Sequence, residues 1–243
     1  MFSSPKPARG SIWYWSGSKN PISPGGKPWP RLPIGSIWRG SPGRRMRQSP
    51  VEILAERRAP WLMFGTARAI LPPGAFLQAT AEGEAALIAG VRAALEGVPP
   101  RALMMDLFAG LGTFTLPLAA QGHRVTAVEG LADPLTALDR AARQAQLPVT
   151  ILQRDLERRP MLASELEGVA AAVIDPPRAG AKAQTAELAA SRVPLIAAVS
   201  CNPDTFARDA AMLIEGGYRL DWVQPVDQFR WSPHVELVAR FSR

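Results

Sequence analysis

Cysteine and histidine are scarce in this sequence, which holds one cysteine, Cys201, and two histidines, His123 and His234. A single thiol cannot form an internal disulfide or a cysteine-rich metal site, so we expect neither zinc nor an iron–sulfur cluster. Long apolar runs are also missing, since none reaches the roughly 18 residues that span a bilayer. The first residues lack the continuous apolar stretch of a signal peptide. We therefore predict a cytoplasmic protein without metal or membrane partners.

Acidic side chains are absent from residues 1–50. This segment contains nine prolines, seven glycines, nine serines and four of the seven tryptophans, a composition that prevents regular helices and strands. Residues 1–60 carry 11 Lys/Arg and 2 Asp/Glu (11 − 2 = +9), whereas residues 61–243 carry 17 and 19 (17 − 19 = −2). We interpret residues 1–50 as a disordered basic tail without function, or as an upstream extension of the reading frame. The alternative is an RNA-binding arm whose tryptophan rings stack on bases.

Apolar runs and helical patterns alternate through the rest of the chain. Strands are predicted at 101–107, 124–129, 169–175 and 195–200, and helices at 81–95, 114–120, 133–146, 184–191 and 203–215. This alternation predicts an α/β, Rossmann-like fold, a mostly parallel twisted sheet with helices on both faces. Ligands of such sheets bind at the carboxyl ends of the strands. Four polar residues stand at those ends: Asp106, Glu129, Asp175 and Cys201.

A glycine-containing turn follows the first of these strands, in the segment Asp106–Phe114. Gly110 and Gly112 allow a tight turn and the close approach of a ligand to the backbone. Glu129, 19 residues after Gly110, can accept hydrogen bonds from both hydroxyl groups of a ribose. Together they predict a nucleoside site. Thr115 stands where the dinucleotide fingerprint has its third glycine, which disfavours NAD.

Asp175 ends the third predicted strand, and Pro176 and Pro177 stiffen the chain immediately after it. An Asp-Pro-Pro-aromatic sequence at such a point is typical of enzymes that methylate exocyclic amines, where the aromatic ring stacks on the base. Arg178 occupies the aromatic position here, so an amine target loses support. The alternative interpretation is an ordinary proline-rich strand exit.

Cys201 lies between the fourth predicted strand and the helix that comes next in the chain. Asn202 is a favourable N-cap and Pro203 a favourable first helical residue. We therefore expect Cys201 to sit at a helix N-terminus, where the dipole favours the thiolate. A lone cysteine is usually a small buried apolar residue, but this position favours a nucleophile. Glu236, at the start of a strand-like segment, would ordinarily be a solvated strand residue, and beside Cys201 it becomes the candidate base.

In these motifs the chain resembles the bacterial RNA (uracil-5-)-methyltransferases. The matching segments, in order, are Pro73–Thr80, Asp106–Phe114, Asp175–Gly180, Ser200–Pro203 with Thr205 and Ala207–Asp209, and His234–Glu236. The resemblance implies an enzyme that methylates C5 of a uridine in RNA, with S-adenosylmethionine (SAM) as cofactor. It implies Cys201 as nucleophile and Glu236 as proton acceptor. The SAM contacts that it implies are Gln78, Phe108, Thr113, Glu129 and Asp175.

The N-terminal part of the chain departs from this family. Members usually carry an N-terminal oligonucleotide-binding barrel, a central RNA-binding region, or both, and this chain has room for neither. We therefore divide it into a tail at 1–50, a remnant of the central region and linker at 51–80, and a methyltransferase domain at 81–243. We expect an N-terminally truncated monomer with reduced or borrowed RNA recognition.

Two other functions stay open. An RNA cytosine-C5 methyltransferase uses the same thiol addition, but that family has a cysteine after the proline where this chain has Arg178 and Ala179. A noncatalytic SAM- or RNA-binding remnant is the second, and the retained pair of Cys201 and Glu236 argues against it. Between RNA classes, the resemblance favours ribosomal over transfer RNA, through the Asp-Leu-Phe-x-Gly and Val-Glu-Leu-Val stretches.

Overall fold

A computed structural model describes residues 59–228 and 234–243. The predicted tail at 1–50 lies outside the described residues, as do residues 51–58 of the predicted linker region. The strands in the described ranges are β1 Trp61–Phe64, β2 Ala67–Ile70, β3 Leu103–Leu107, β4 Arg124–Glu129, β5 Val149–Gln153, β6 Ala171–Ile174, β7 Leu195–Ser200, β8 Arg219–Val226 and β9 Glu236–Ser242. The helices are α1 Ala81–Ala94, α2 Thr115–Ala120, α3 Ala132–Gln144, α4 Lys182–Ala190 and α5 Pro203–Glu215. None of the helices in these ranges is long and apolar enough to cross a membrane.

Seven strands form one sheet in the order β5-β4-β3-β6-β7-β9-β8. The strands from β5 to β7 pair in parallel, and β9 runs antiparallel to both β7 and β8. The carboxyl ends of the five parallel strands therefore meet at one edge of the sheet. The sheet confirms the predicted α/β, Rossmann-like fold.

Helices cover both faces of the sheet because neighbouring strand residues point to opposite sides. Met104 of β3 belongs to a core that includes Leu87 of α1. The next residue, Met105, belongs to the core on the other face, with Leu188 of α4 and Leu213 of α5. These five side chains are at most 4% exposed, so the strand is buried on both faces. Such burial explains why β3 is apolar in the sequence apart from Asp106.

Two helices begin at capping residues on the carboxyl edge of the sheet. Thr80 caps α1, and its Oγ1 accepts a hydrogen bond from the Gly83 N–H at 2.9 Å. Asn202 caps α5, and its Oδ1 accepts from the Asp204 N–H at 3.1 Å. Pro203 is the first residue of α5, so the predicted start of this helix is confirmed.

The strands that the sequence did not reveal are peripheral. β5 and β8 are the two outermost strands of the sheet. An outer strand is partly exposed and lacks the apolar run of a buried one. The strands β1 and β2 form an antiparallel hairpin. Its residues Phe64, Ala67 and Ala69 are buried against Leu116 and Ala141, which attaches the hairpin to the α2–α3 side of the domain.

Candidate active site

Five polar side chains come together at the carboxyl edge of the sheet. Asp106 lies near the end of β3, Glu129 ends β4, Asp175 follows β6 and Cys201 follows β7. Glu236 begins β9, and the antiparallel direction of that strand brings its first residue to the same edge. The sheet thus collects the thiol and the carboxylates that the sequence analysis singled out.

Cys201 and Glu236 occupy neighbouring positions on adjacent strands. In the antiparallel ladder of β7 and β9, Ser200 pairs with Leu237. The ladder ends with that pair, and Cys201 and Glu236 are the next residue beyond it on each side, close enough for the charge of Glu236 to act on the thiol. Directly opposite residues of an antiparallel pair point to the same face, with Cα atoms roughly 4.5–5.5 Å apart. The topology therefore brings the candidate nucleophile and the candidate base side by side.

The surroundings of Cys201 oppose ionisation of its thiol. Burial raises the pKa of Cys201, and the negative charges of Glu236 and Asp175 raise it further. Burial also raises the pKa of Glu236. The expectation that the helix N-terminus favours the thiolate is therefore wrong for the protein alone. The physical reason is that lost hydration, and then the charges of two nearby carboxylates, disfavour the charged thiolate.

Two further carboxyl groups are buried at this edge. Asp106 is fully buried, and its Oδ2 accepts a hydrogen bond from Thr115 Oγ1 at 2.5 Å. Its Oδ1 has no hydrogen-bond partner among the described residues. Burial raises the pKa of Asp106 to about 7. Burial, then the charges of Glu236 and Asp106, raise the pKa of Asp175 to about 8.

The glycine loop after β3 is held in shape by Glu129. Its Oε2 accepts from the Gly110 N–H at 3.0 Å, and its Oε1 accepts from the Leu131 N–H at 2.8 Å. Gly110 and Gly112 both have positive φ angles, 54° and 91°, which glycine adopts at little cost. Phe108 also has a positive φ, 65°, although it carries a side chain. Backbone strain of this kind in a non-glycine residue is frequent at ligand sites.

An open groove of about 510 Å³ lies beside this loop. Phe108 and Leu156 line one part of it, and Gly180, Ala181 and Arg208 line another. The groove thus runs from the glycine loop to the segment that comes after Asp175.

Comparison with known proteins agrees with these motifs. The model of the tRNA (uracil-5-)-methyltransferase family matches residues 153–242. An uncharacterized RNA methyltransferase of Brucella melitensis is 51% identical over 194 residues, which cover 79% of this chain and 46% of that protein. The 23S rRNA (uracil(1939)-C(5))-methyltransferase of Pseudomonas fluorescens is 38% identical over 211 residues, covering 85% of this chain and 45% of that protein. The chain belongs to the RNA (uracil-5-)-methyltransferase family.

A solved member of the family has the same fold. The Pyrococcus abyssi tRNA (uracil-54, C5)-methyltransferase, solved in complex with S-adenosyl-L-homocysteine, aligns with a TM-score of 0.66 and 27% identity. The alignment covers 81% of this chain and 48% of that protein. The chain therefore spans about half the length of the relatives that it matches.

The segment Arg178–Ala181 is held in place by residues that follow Cys201 in the chain. These residues are among those that carry the family resemblance. Four side chains at the start of α5 bind the backbone of this segment, and the segment in turn lines the groove. The bonds are Asn202 Nδ2 to Arg178 O and Thr205 Oγ1 to Arg178 O, both 3.2 Å, Arg208 Nη2 to Ala179 O at 3.2 Å, and Ala181 N to Asp209 Oδ2 at 2.8 Å. The helix after the candidate nucleophile thus also fixes the segment after Asp175.

The other predicted SAM contacts lie around the same edge. Phe108 lines the groove, and Thr113 is partly buried in the glycine loop. Gln78 lies between β2 and α1, and its Oε1 accepts a hydrogen bond from Gln228 Nε2 at 2.9 Å. The sequence analysis missed Gln228. The one signal for it was its position in the segment Val226–Glu236, eight residues before the candidate base.

Proposed function

We propose that this chain is the catalytic part of an enzyme that uses SAM to methylate C5 of a uridine in RNA. The observation that carries the proposal is the adjacency of Cys201 and Glu236 across the ladder of β7 and β9. A reaction at C5 of a pyrimidine needs both a nucleophile and a base, and few other methyl transfers need this pair. The names of the relatives support the same activity.

The residues of the edge suit SAM. Glu129 stands at the end of β4, where it could bind the ribose hydroxyl groups, and the groove beside Phe108 could receive the adenosyl part. Asp106 and Asp175 are buried acids without a cationic partner among the described residues, and a ligand with a sulfonium and an ammonium group would favour their charged forms. Gln78, Gly110, Gly112 and Thr113 complete the proposed cofactor contacts. When bound, SAM would supply the methyl group.

The proposed chemistry begins at Cys201. Its thiol gives its proton to water, and the thiolate sulfur adds to C6 of the uracil, so that C5 becomes nucleophilic and can accept the methyl group. Glu236 then takes the proton from C5, the bond between the sulfur and C6 breaks, and the C5–C6 double bond re-forms. Because burial raises the pKa of Glu236, its carboxylate is a stronger base than an exposed glutamate.

Ribosomal RNA is the favoured substrate. The relative named for 23S rRNA is 38% identical, whereas the relative named for tRNA is 27% identical. RNA is the proposed partner in either case. A cytoplasmic location, a monomeric state and the absence of a metal stay predictions.

Tritium release from RNA labelled at uridine C5 tests the reaction. We expect SAM-dependent release by the wild type and none by Cys201→Ala, with Ser164→Ala, an exposed position, as the matched control. Glu236→Gln should slow release about 100- to 10,000-fold, because it removes the base. It should also accumulate a covalent RNA–protein adduct that survives denaturing electrophoresis.

Two results of the tritium assay would contradict the proposal. If the wild type binds SAM but releases no tritium from ribosomal or transfer RNA, the chain is a noncatalytic remnant and the proposal is wrong. Release from RNA labelled at cytidine C5, with none from uridine, would instead support the cytosine enzyme.

A further inference from the structure

Gln228 is a buried polar residue without a part in the proposed reaction. It lies two residues beyond Val226, the last residue of β8, and Val226 pairs with Glu236. Its side chain is therefore close to the strand end that carries the proposed base, and Gln228 is 7% exposed. A buried carboxamide needs partners both for its oxygen and for its NH2 group.

A backbone contact fixes the direction of the Gln228 carboxamide. The Thr80 N–H donates to Gln228 Oε1, with 3.4 Å between nitrogen and oxygen. Because a backbone N–H can only donate, the atom that faces it must be the oxygen. Gln228 Nε2 then points to Gln78, where it donates to Oε1 at 2.9 Å. The opposite orientation would bring two donors together at Thr80.

The orientation of Gln228 in turn fixes the orientation of the Gln78 carboxamide. With its Oε1 directed at Gln228, the end of the Gln78 carboxamide that points away from Gln228 is the NH2 group, which can only donate. An unrestrained glutamine could present either end, since the two ends have nearly the same shape. The contact with Gln228 therefore gives Gln78 a fixed polarity.

Packing against α1 keeps Gln228 in this position. A side chain added at Gly83 would collide with Cγ and Cδ of Gln228. The first turn of the helix thus lies directly against the glutamine. Thr80, which caps that turn through its hydroxyl group, supplies the N–H that orients Gln228.

We propose that Gln228 is a positioning residue that holds Gln78 as a hydrogen-bond donor to a carbonyl or carboxylate oxygen in the site. The inference rests on the proposed function, and the oxygen belongs either to O4 of the target uracil or to the carboxylate of SAM. A fixed donor suits uracil, which has an oxygen at C4, and opposes cytosine, which has an amino group there.

Gln228→Glu tests this by reversing the polarity of Gln78. The new carboxylate still accepts from the Thr80 N–H but cannot donate, so Gln78 must turn its NH2 group inward and expose its oxygen. We expect a loss of about 10- to 100-fold in the step that uses the donor, the usual effect of one mispaired buried hydrogen bond. Gln228→Met, of similar volume, frees Gln78 without reversing it and should cost less.

A double-mutant cycle separates positioning from a merely structural role. Gln78→Leu should cause the same loss as Gln228→Glu, and the double variant should lose no more than either alone. Additive losses would overturn the proposal. The melting temperature of each variant shows whether it is folded. If Gln228→Glu does not fold, Gln228→Met replaces it in the double-mutant cycle.

Two readouts identify the oxygen. If SAM supplies it, calorimetry of SAM binding to Gln228→Glu shows the full loss in Kd. If uracil supplies it, the Kd for SAM is unchanged, kcat/KM for tritium release falls, and the preference for uridine over cytidine narrows. Effects below twofold in both readouts would overturn the proposal.

Side-chain NMR distinguishes a failure of this inference from a failure of the proposed function. The NH2 signals of Gln78, assigned by their loss in Gln78→Leu, should shift in Gln228→Glu even if the wild type releases no tritium. Unmoved signals would overturn the inference, whether or not the enzyme is active.

Discussion

The carboxylates along the sheet's carboxyl edge differ in their surroundings, and we compare the cofactor half, at β3 and β4, with the catalytic half, from β6 to β9. On the β3–β4 side, Glu129 accepts two backbone hydrogen bonds, from Gly110 and Leu131. On the β6–β9 side, burial and mutual repulsion raise the pKa of Asp175, and burial raises that of Glu236. At Glu129 the protein itself supplies the hydrogen-bond donors, whereas at Asp175 and Glu236, as at Asp106 on β3, burial disfavours the charged carboxylate.

The difference means that the two halves depend on different properties, backbone geometry in the first and buried ionisable groups in the second. The cofactor half depends on backbone geometry that only glycine adopts easily, so its function is tied to folding. The catalytic half depends on desolvated acids around Cys201, which cost stability and so indicate a functional rather than a structural purpose. Substitutions in the cofactor half should therefore change stability through backbone strain and packing, whereas those in the catalytic half should change how stability or thiol reactivity depends on pH.

The largest effect is expected in the cofactor half, from Gly112→Ala. Its φ of 91° is unfavourable for alanine, and the new Cβ would lie 2.9 Å from Leu138 Cδ1 and 3.1 Å from Leu116 Cγ. Because both neighbours are buried, we expect a loss of about 2–4 kcal/mol in the free energy of unfolding, measured by urea denaturation.

Gly110→Ala is the matched control for this prediction. Its φ is also positive, at 54°, but the added Cβ would meet no atom within 4 Å. It should lose about 1–2 kcal/mol, the backbone cost alone. Equal losses in the two variants would show that packing against Leu138 does not limit the loop.

An intermediate effect, with a pH signature, is expected from Asp175→Asn in the catalytic half. The pKa of Asp175 is raised to about 8 in the folded state, whereas an unfolded aspartate titrates near 4. Between those values the folded state binds more protons, so the stability that Asp175 contributes is full below about pH 4 and is lost as the pH rises to about 8. Asparagine does not titrate, so the variant should be more stable than the wild type by about 1–3 kcal/mol at pH 9.

Urea denaturation across this pH range measures the effect. The exposed variant Glu167→Gln serves as the control and should follow the wild type. Parallel curves for Asp175→Asn and the wild type would mean that the carboxyl group is not desolvated in the folded protein.

The smallest effect is expected at the thiol itself. Glu236→Gln removes the negative charge that, after burial, contributes most to raising the pKa of Cys201, and should lower this pKa. Since Cys201 is the one cysteine of the chain, the pH dependence of its alkylation by iodoacetamide reports this pKa directly. Glu82→Gln, exposed on α1, is the control. Superimposable profiles for Glu236→Gln and the wild type would contradict the prediction.

Sequence reasoning succeeded where a strand is buried on both faces. The strands β3, β6 and β7 are mostly apolar, β4 alternates buried apolar with more exposed polar residues, and each of the four ends at or near one of the polar residues of the site. It failed at the outer strands β5 and β8, whose residues are partly exposed, and at the hairpin β1–β2. Short, half-exposed strands lack a period strong enough to detect.

Within the site, the sequence was enough to name the candidate residues but not to predict the electrostatic environment of each. Cys201 and Glu236 could be named from motifs, but the rise in the pKa of the thiol could not, because it depends on carboxylates from two other strands. Gln228 escaped notice for the same reason. Its partners, Gln78 and Thr80, are 150 and 148 residues away in the chain.

By itself, the sequence determined the alternation of strands and helices, the glycine turn after β3, the cap of α5 and the identity of the polar residues at the strand ends. These are local properties, set by neighbouring side chains and backbone preferences. Tertiary structure alone decided the antiparallel register that brings Cys201 beside Glu236, the desolvation of Asp175, and the direction of the Gln78 carboxamide. Each of these depends on groups that only the folded sheet brings together, and charges and hydrogen bonds act across space rather than along the chain.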